Sequence, residues 1–317
     1  MATVIEQRQP VHRAQPARRG VRWERVALQM LLIIGSLVMA YPLLFGLAAS
    51  ISTLEAYAQS SWFPMPNSLY LENYIVLFTS QSDIPLWVLN TVLRIAWYVV
   101  VPGAVAVLAG YVFARLRFWG RDAVFILLLS SMMVPGIVYY VPTYVMMARW
   151  PLADGNDLLG QGGHGFINAW PAMLIPGMVN VFYVFLLRQT FYSIPKDFEE
   201  AARVDGANTL QVLLRVYLPM LKPAITVMVI FQFVAIWNDY LWPLVVAGGN
   251  QDIWPVALGF QRIMFSGASF KGARAGVITD YPFAFTLATV ATFPTVLIFL
   301  FLQRYFVEGV QGFALKG

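Results

Sequence analysis

EEAARVDGANTLQVLLRVYLPMLKP, residues 199–223, is a charged stretch between two long apolar segments, and the organisation of the chain can be read outward from it. Just before it, Pro195 suits the first turn of a helix, and Ser193 is the expected N-cap. Acidic residues follow where a helix N-terminus favours negative charge, namely Asp197, Glu199 and Glu200. The pattern predicts a short helix from about Pro195 to Asp205.

A turn and a second helix are expected next. Gly206 stands where a left-handed residue commonly ends a helix. Asn208 or Thr209 can then cap a second helix that reaches Pro219. The stretch therefore predicts a small helix-turn-helix.

Two alanines, Ala201 and Ala202, give the first predicted helix a surface of low relief. The backbone of another protein can approach such a surface closely, as docking requires. The alternative is an ordinary amphipathic helix that lies on the membrane surface.

The composition is that of an integral membrane protein. The chain has 317 residues, of which 59% are hydrophobic and 12% charged, with a mean hydropathy of +0.65; soluble domains carry about a quarter charged residues. The absence of cysteine excludes disulfides and cysteine-based metal sites. The two histidines, His12 and His164, are far apart in sequence, which argues against a histidine-based metal or catalytic centre.

Six apolar segments predict six spanning helices, each long enough to cross a bilayer core of about 30 Å. They cover residues 26–51, 86–114, 122–147, 169–187, 223–247 and 282–301. Several contain proline, which the bilayer tolerates where neighbouring helices or a water-filled cavity satisfy the freed carbonyl groups. The prediction is an all-α polytopic bundle that lines a pathway.

The positive charges set the orientation of this bundle. The net charge of +5 at pH 7 and the pI of 9.4 could suggest nucleic-acid binding. However, sixteen Lys and Arg lie in the segments assigned to the inside and four or five in those assigned outside, which is the positive-inside bias of membrane proteins. We therefore expect no nucleic-acid partner, and both termini in the cytoplasm.

The predicted domain organisation has three parts. Residues 1–25 form a disordered basic cytoplasmic tail, residues 26–302 form one transmembrane domain, and residues 303–317 form a cytoplasmic tail. Within the transmembrane domain, residues 188–222 are an internal cytoplasmic segment, here called the coupling loop.

Motifs for chemistry are missing from the sequence. It contains no G-x-x-x-x-G-K-[ST] phosphate loop, no H-E-x-x-H and no G-x-S-x-G. The chain is therefore not expected to hydrolyse ATP or to act as an enzyme. If ATP drives transport, the ATPase is another polypeptide.

Nearly the whole chain after Arg25 resembles the permease of a carbohydrate-type ABC importer, of the maltose or glycerol-phosphate kind. The residues that carry the resemblance are Glu200-Ala201-Ala202, Asp205-Gly206-Ala207, Leu218-Pro219, the run Trp237 to Leu244 (WNDYLWPL) and the ending Ala314-Leu315-Lys316-Gly317. The resemblance implies the transmembrane domain of a type I ABC importer, in the bacterial inner membrane. Residues 150–168 and 262–280, both external, depart from the usual pattern.

The resemblance also implies the partners. These are a dimer of ABC ATPases that binds ATP and magnesium, a second permease, an extracytoplasmic solute-binding protein and a carbohydrate substrate; the chain itself binds no cofactor. The residues expected to couple to the ATPase are Glu199, Glu200, Ala201, Ala202, Asp205, Gly206, Leu218 and Pro219. Glu200 and Asp205 would be anions at the interface, and Lys316 in the C-terminal tail would be near the same ATPase or in a frayed end.

Polar and aromatic residues in the fifth span are candidates for the substrate pathway. They are Trp237, Asn238, Asp239 and Tyr240. Aromatic faces beside amide and carboxylate groups suit sugar rings. Alternatively, these polar groups hold the bundle together through hydrogen bonds between helices. For Arg94, in the second span, we expect a side chain that reaches the outer membrane interface rather than the pathway.

Two other classes of function stay open at this stage. One is an ABC permease for a solute other than a sugar. The other is an ATP-independent secondary transporter, which would need carboxylates at the midplane; Asp239 is the one clear candidate in the predicted spans.

Overall fold

The computed structural model describes residues 23–60, 62–66, 69–80, 83–265 and 280–314, and every regular element in them is helical. This confirms the all-α prediction for that part of the chain. The helices in chain order are α1 Trp23–Ser50, α2 Leu54–Gln59, α3 Glu72–Ser80, α4 Ile84–Arg115, α5 Arg121–Ser131, α6 Tyr140–Ala148, α7 Trp170–Leu174, α8 Val181–Ser193, α9 Asp197–Val204, α10 Thr209–Met220, α11 Lys222–Trp237, α12 Leu241–Ala247, α13 Val256–Phe265 and α14 Tyr281–Ala314.

Three of these helices, α1, α4 and α14, are unbroken and are long and apolar enough to span a membrane. Two further pairs qualify if each counts as one bent span: α5 with the segment 136–148, bent by 93°, and α10 with α11, bent by 74°. The described residues thus contain three to five candidate spans by this measure, compared with the six predicted.

The difference arises because the predicted third, fourth and fifth spans are interrupted. The third breaks before Pro135, which cannot donate a backbone hydrogen bond. The predicted continuous helix at 169–187 is wrong, because α7 and α8 are separated by residues 175–180, where Gly177 is left-handed with φ +91°. The fifth breaks at residues 238–240, between α11 and α12.

Within the described residues, helices extend into both predicted tails. Helix α1 begins at Trp23, inside the predicted tail of residues 1–25. Helix α14 continues to Ala314, well into the predicted tail of 303–317, because no proline after Pro294 interrupts it. Residues 1–22 and 315–317, with Lys316, lie outside the described part.

The predicted external segments contain short helices as well as loops. Helices α2 and α3 lie in the first of these, residues 52–85, and α13 lies in the last, residues 248–281. In the glycine-rich segment 150–168, the buried side chain of Asn156 donates to the carbonyl oxygens of Ala148 and Trp150 and accepts from the N–H of Gly163. The Oδ1 of Asn168 accepts from the N–H of Gly249, which joins this segment to the one after α12. Residues 266–279 lie outside the described part.

Helix α4 is central to the bundle, since it packs against α8, α11 and α13. Gly259 of α13 lies against Trp87 of α4, and a Cβ atom at position 259 would be 2.1 Å from the Cε3 of that indole. The Trp87 side chain is buried, with only 3% exposed. The close contact between α4 and α13 therefore requires a glycine at this point.

Gly259→Ala tests this packing. The added methyl has to displace a buried indole, which costs about 1 to 3 kcal/mol and lowers the melting temperature by at least about 2 °C. The matched control is Gly35→Ala, because a Cβ atom there meets no heavy atom within 4 Å. Thermal unfolding in detergent, followed by size-exclusion chromatography, measures both; equal melting temperatures for the two variants would contradict the packing described.

Candidate functional site

Helix α9, in the coupling loop, begins slightly later than predicted. Its N-cap is Lys196 and its first turn holds Asp197, Glu199 and Glu200. The predicted cap, Ser193, is wrong: it is the last residue of α8, and its hydroxyl donates to the carbonyl oxygen of Thr190. The α8 backbone continues through Ser193, so that this residue ends one helix instead of starting the next.

The left-handed turn predicted at Gly206 is present, with φ +84°. The N–H of Ala207 donates to the carbonyl oxygen of Ala202 at 2.9 Å, and the N–H of Gly206 donates to that of Arg203 at 3.0 Å. These two bonds form a Schellman motif, which satisfies carbonyl groups left open at the end of a helix. The motif needs a residue that tolerates positive φ, and glycine does so without strain.

Asn208 caps the second helix of the loop, as one of the two predicted possibilities. Its side chain accepts from the N–H of Gln211, whose own side chain accepts from the N–H of Asn208, so that the two form a capping box. Helix α10 then runs through a π-helical stretch, Val212–Tyr217, to the predicted Leu218-Pro219 pair. Leu218 is half-buried and Pro219 is exposed.

The carboxylate of Glu199 holds α9 against α10. Its Oε2 accepts from the hydroxyl of Tyr217 at 2.7 Å, and its Oε1 accepts from the Nη2 of Arg203 at 2.8 Å. Only 15% of the Glu199 side chain is exposed, whereas Tyr217 is fully buried. Glu199, predicted as a coupling residue, therefore makes its contacts within the loop.

The pKa of Glu199 reflects these contacts. Burial alone raises the pKa of this carboxyl, but the hydrogen bonds from Tyr217 and Arg203, together with the charges of Arg203 and Arg115, lower it below the ordinary value. The ionised form is therefore the one that the folded loop favours.

Arg115, the last residue of α4, joins this loop to the membrane helices. Its Nη2 donates to the carbonyl oxygens of Phe191 and Ile194 at 2.7 and 2.6 Å, at the end of α8. Its guanidinium carbon also lies 5.0 Å from the centre of the Tyr217 ring. One cation thus contacts α4, α8 and α10 together, and the aromatic rings of Tyr111, Phe191 and Tyr217 pack beside it.

The outward face of the coupling loop is apolar with an acidic edge. Exposed apolar side chains are Phe198, Val204, Leu210 and Leu214, with Val204 88% exposed. Glu200, Ala201, Asp205 and Gly206 are also exposed. The prediction that Ala201 and Ala202 share the outer surface is corrected for Ala202. This residue is half-buried and packs inward against the aromatic cluster. These exposed apolar and acidic side chains are available for contact with another protein.

The four pathway candidates differ in their surroundings. Trp237 is buried, stacks on Phe233 and donates its indole N–H to the carbonyl oxygen of Ala291 on α14. These contacts fit the alternative role for this span, in which its polar groups hold the bundle together through hydrogen bonds between helices. Asn238 and Tyr240 are exposed, and the amide of Asn238 donates to Val234 in the preceding turn.

Arg94 is fully buried and does not reach the outer interface, so the expectation for this residue was wrong. Its Nη2 donates to the Oδ2 of Asp239 at 2.7 Å, and 21% of the Asp239 side chain is exposed. Arg94 pairs with a carboxylate at the break between α11 and α12. Pairing stabilises the buried guanidinium better than extending the side chain to the membrane interface would.

Neighbouring residues of α4 bind a second helix break. The indole N–H of Trp97 donates to the carbonyl oxygen of Leu174, and the hydroxyl of Tyr98 lies 2.8 Å and 2.6 Å from the carbonyl oxygens of Met173 and Pro176. Carbonyl groups freed where α7 ends are thereby satisfied. No group of three or more potential metal ligands occurs in the described residues.

Sequence reasoning missed the positioning roles of Arg115 and Tyr217. Arg115 was counted only as a cytoplasmic positive charge, and Tyr217 carried no distinguishing pattern. A weak signal was available for Arg115, since a cation at the end of a helix is well placed to bind terminal carbonyl groups.

Comparison with protein families matches residues 106–312 to "Binding-protein-dependent transport system inner membrane component". An arabinooligosaccharides transport system permease of Halalkalibacterium halodurans is 29% identical over 252 residues, covering 80% of this chain and 81% of that protein. An osmoprotective compounds uptake permease of Synechocystis is 31% identical over 256 residues, covering 80% and 78%. A lactose transport system permease of Rhizobium radiobacter is 29% identical, covering 75% and 78%.

Two solved structures share the fold. One is a crystal structure of a bacterial ABC transporter involved in the import of the acidic polysaccharide alginate, with a TM-score of 0.74 and 23% identity, covering 92% of this chain and all of that chain. The other is a bacterial alginate ABC transporter in complex with an alginate pentasaccharide-bound periplasmic protein, with a TM-score of 0.62 and 17% identity, covering 90% and 95%.

Tyr217→Phe tests whether Glu199 holds α9 in place. Loss of the hydroxyl leaves a carboxylate oxygen without its partner, which costs about 1 to 2 kcal/mol and increases local opening roughly tenfold. Hydrogen exchange of the peptide over residues 195–207 measures this opening. Tyr192→Phe is the control, because its hydroxyl makes only a 3.3 Å contact with the carbonyl oxygen of Phe113.

The pH dependence gives a second readout of the same variant. Because the pKa of Glu199 is lowered by folding, its contribution is present above the ordinary value of about 4.3 and is lost as the pH falls through the lower folded-state pKa. Tyr217→Phe removes one of the contacts that lower the pKa of Glu199. After correction for the intrinsic exchange rate, the protection of residues 195–207 against hydrogen exchange should therefore be lost at a higher pH in this variant than in the unaltered chain. An unchanged pH profile would show that the carboxylate does not hold the helix.

Proposed function

Because the chain belongs to the family of binding-protein-dependent transport system inner membrane components, we propose that it forms half of the pathway of an ATP-driven carbohydrate importer. It is an ABC transporter permease, and ATP hydrolysis belongs to a separate subunit. The proposal adds that the chain docks to this ATPase through α9 of the coupling loop.

The observation that carries the docking proposal is the two-sided character of the coupling loop. The exposed residues of α9 include the apolar Phe198 and Val204 and the acidic Glu200. Glu199 and Tyr217 fix the opposite, inward side. A helix that is held in place and exposes apolar and acidic side chains together suits insertion into a groove of a partner. Glu200 and Asp205, at the acidic edge, would meet basic groups there.

Movement of the ATPase would reach the membrane helices through Arg115. This side chain contacts α8 and α10 from the end of α4, and α4 is the central helix of the bundle. When ATP and magnesium close the ATPase dimer, the docked loop and the inner end of α4 would move together. That motion would turn the pathway from inward-facing to outward-facing.

The proposed substrate is a carbohydrate, delivered by an extracytoplasmic binding protein. Relatives transport arabinooligosaccharides and lactose according to their names, and one structural neighbour holds a periplasmic protein with bound pentasaccharide. A second permease would supply the other half of the pathway. In this half, Asn238, Asp239 and Tyr240 lie at an accessible break between helices and are the proposed pathway residues.

The proposed placement is the bacterial inner membrane with both termini and the coupling loop in the cytoplasm. The distribution of Lys and Arg supports it. A second candidate function is the import of a compatible solute, which is favoured by the Synechocystis relative that carries osmoprotective compounds.

Val204→Asp tests the docking proposal. Val204 is 88% exposed, so a charge there leaves the fold intact but would be buried without a partner in the docked complex. We expect the amount of ATPase that purifies with the chain to fall by about tenfold or more. Affinity purification from native membranes with quantitative mass spectrometry measures this amount, together with the second permease.

Trp119→Asp is the matched control, since Trp119 is fully exposed in the turn between α4 and α5 and belongs to neither α9 nor α10. This variant should keep its ATPase. Full recovery of ATPase with Val204→Asp would refute docking through α9. A chain that purifies alone and transports solute without ATP would refute the importer itself.

A further inference from the structure

The ion pair between Arg94 and Asp239 leaves hydrogen-bond donors of Arg94 and an acceptor oxygen of Asp239 unused in the part of the chain that the structure describes. The Nε and Nη1 of Arg94 are buried and have no hydrogen-bond partner among the described residues. On Asp239, Oδ2 is occupied by Arg94, and Oδ1 accepts no hydrogen bond from the described chain. Because 21% of the Asp239 side chain is exposed and none of Arg94 is, the group that meets a visiting molecule is a carboxylate.

Around this carboxylate the surface is polar and aromatic. Asn238 and Tyr240 flank Asp239 in the break and are both exposed. The ring of Tyr98 lies 6.0 Å from the guanidinium carbon of Arg94, on the buried side. An amide, a phenol and a carboxylate together suit the hydroxyl groups and the apolar faces of a sugar ring.

Within the predicted spans, this pair holds nearly all the charge. Apart from Asp122 at the inner start of the third, Arg94 and Asp239 are the only Asp, Glu, Lys or Arg in the six segments. Their charges cancel, so the interior of this half of the pathway carries no net charge and no accessible cation.

The segments predicted to be external have a net negative charge in their sequence. Residues 52–85, 150–168 and 248–281 together hold seven acidic and three basic side chains. An anionic solute would therefore approach against an unfavourable field and would then meet the carboxylate of Asp239.

We propose that Asp239, positioned and charge-balanced by Arg94, is a specificity-determining contact that selects uncharged carbohydrates over uronates. This inference rests on the proposed function and names its substrate class. The free Oδ1 of Asp239 accepts hydrogen bonds from sugar hydroxyls, and bonds to an ionised acceptor are stronger than neutral ones. A uronate carboxylate would face the like charge of Asp239, while the fully buried Arg94 is out of its reach.

Asp239→Asn provides the test, because it keeps the shape of the side chain and removes its charge. Arg94 then becomes an uncompensated cation beside the pathway, so the preference should shift toward acidic sugars. The complete importer in detergent is probed without its binding protein, using arabinotriose as the neutral probe and mannuronate trimer as the acidic probe. Saturation-transfer NMR measures the binding of each probe.

In the unaltered importer, arabinotriose should bind better than the mannuronate trimer. In Asp239→Asn, the ratio of neutral to acidic binding should fall by at least about fivefold. Adding Arg94→Met to that variant removes the free cation and should restore much of the ratio. The control is Asp122→Asn, an exposed aspartate at the inner end of α5, which should leave the ratio unchanged.

Three results would overturn the inference: equal or better binding of mannuronate by the unaltered importer, an unchanged ratio in Asp239→Asn, or no binding of either probe. ATP hydrolysis stimulated by the binding protein is measured in parallel. If stimulation is present while one of these results is found, the specificity inference alone fails. If the binding protein never stimulates hydrolysis, the proposed function fails and the inference fails with it.

Discussion

The hydrogen bond from Tyr217 to Glu199 is the interaction on which the account depends, because it fixes the orientation of α9. Besides this bond, a helix of eight residues has its caps, one intrahelical ion pair and the packing of Ala202 on the aromatic cluster to hold it. Arg115 extends the attachment, since it binds carbonyl groups at the end of α8 and stacks on the Tyr217 ring. Charged, aromatic and backbone groups thus connect the exposed loop to α4 and α8.

The requirement to satisfy backbone groups inside a membrane explains the middle of the bundle. Breaks at residues 175–180 and 238–240 free carbonyl and N–H groups that lipid cannot satisfy. The unbroken helix α4 contacts both breaks: Trp97 and Tyr98 donate to backbone carbonyl groups at the first, and Arg94 pairs with the carboxylate of Asp239 at the second. Irregular backbone is tolerated in this setting where it faces protein or a cavity, and the exposure of Asp239 is consistent with a cavity.

Much of the coupling loop could be predicted from sequence because its signals are local. The left-handed turn at Gly206 and the cap at Asn208 depend only on neighbouring residues. The inward orientation of Ala202 and the partners of Arg94 and Arg115 depend on helices that are distant in sequence, which periodicity cannot reveal. The break within 169–187 was missed because its apolar residues resemble those of a continuous span.

The most direct test of the central claim is whether α9 moves as one body with the inner end of α4. The chain has no cysteine, so paired substitutions Asp197→Cys, in α9 but outside the proposed docking surface, and Leu116→Cys can carry spin labels without background from this chain. The distance is measured in the complete importer without nucleotide and after trapping with ATP and vanadate, with trapping verified by loss of ATPase activity. The account predicts a change below about 2 Å between the two states. A change larger than one helical turn, about 5 Å, would show that the loop moves independently and would contradict the account.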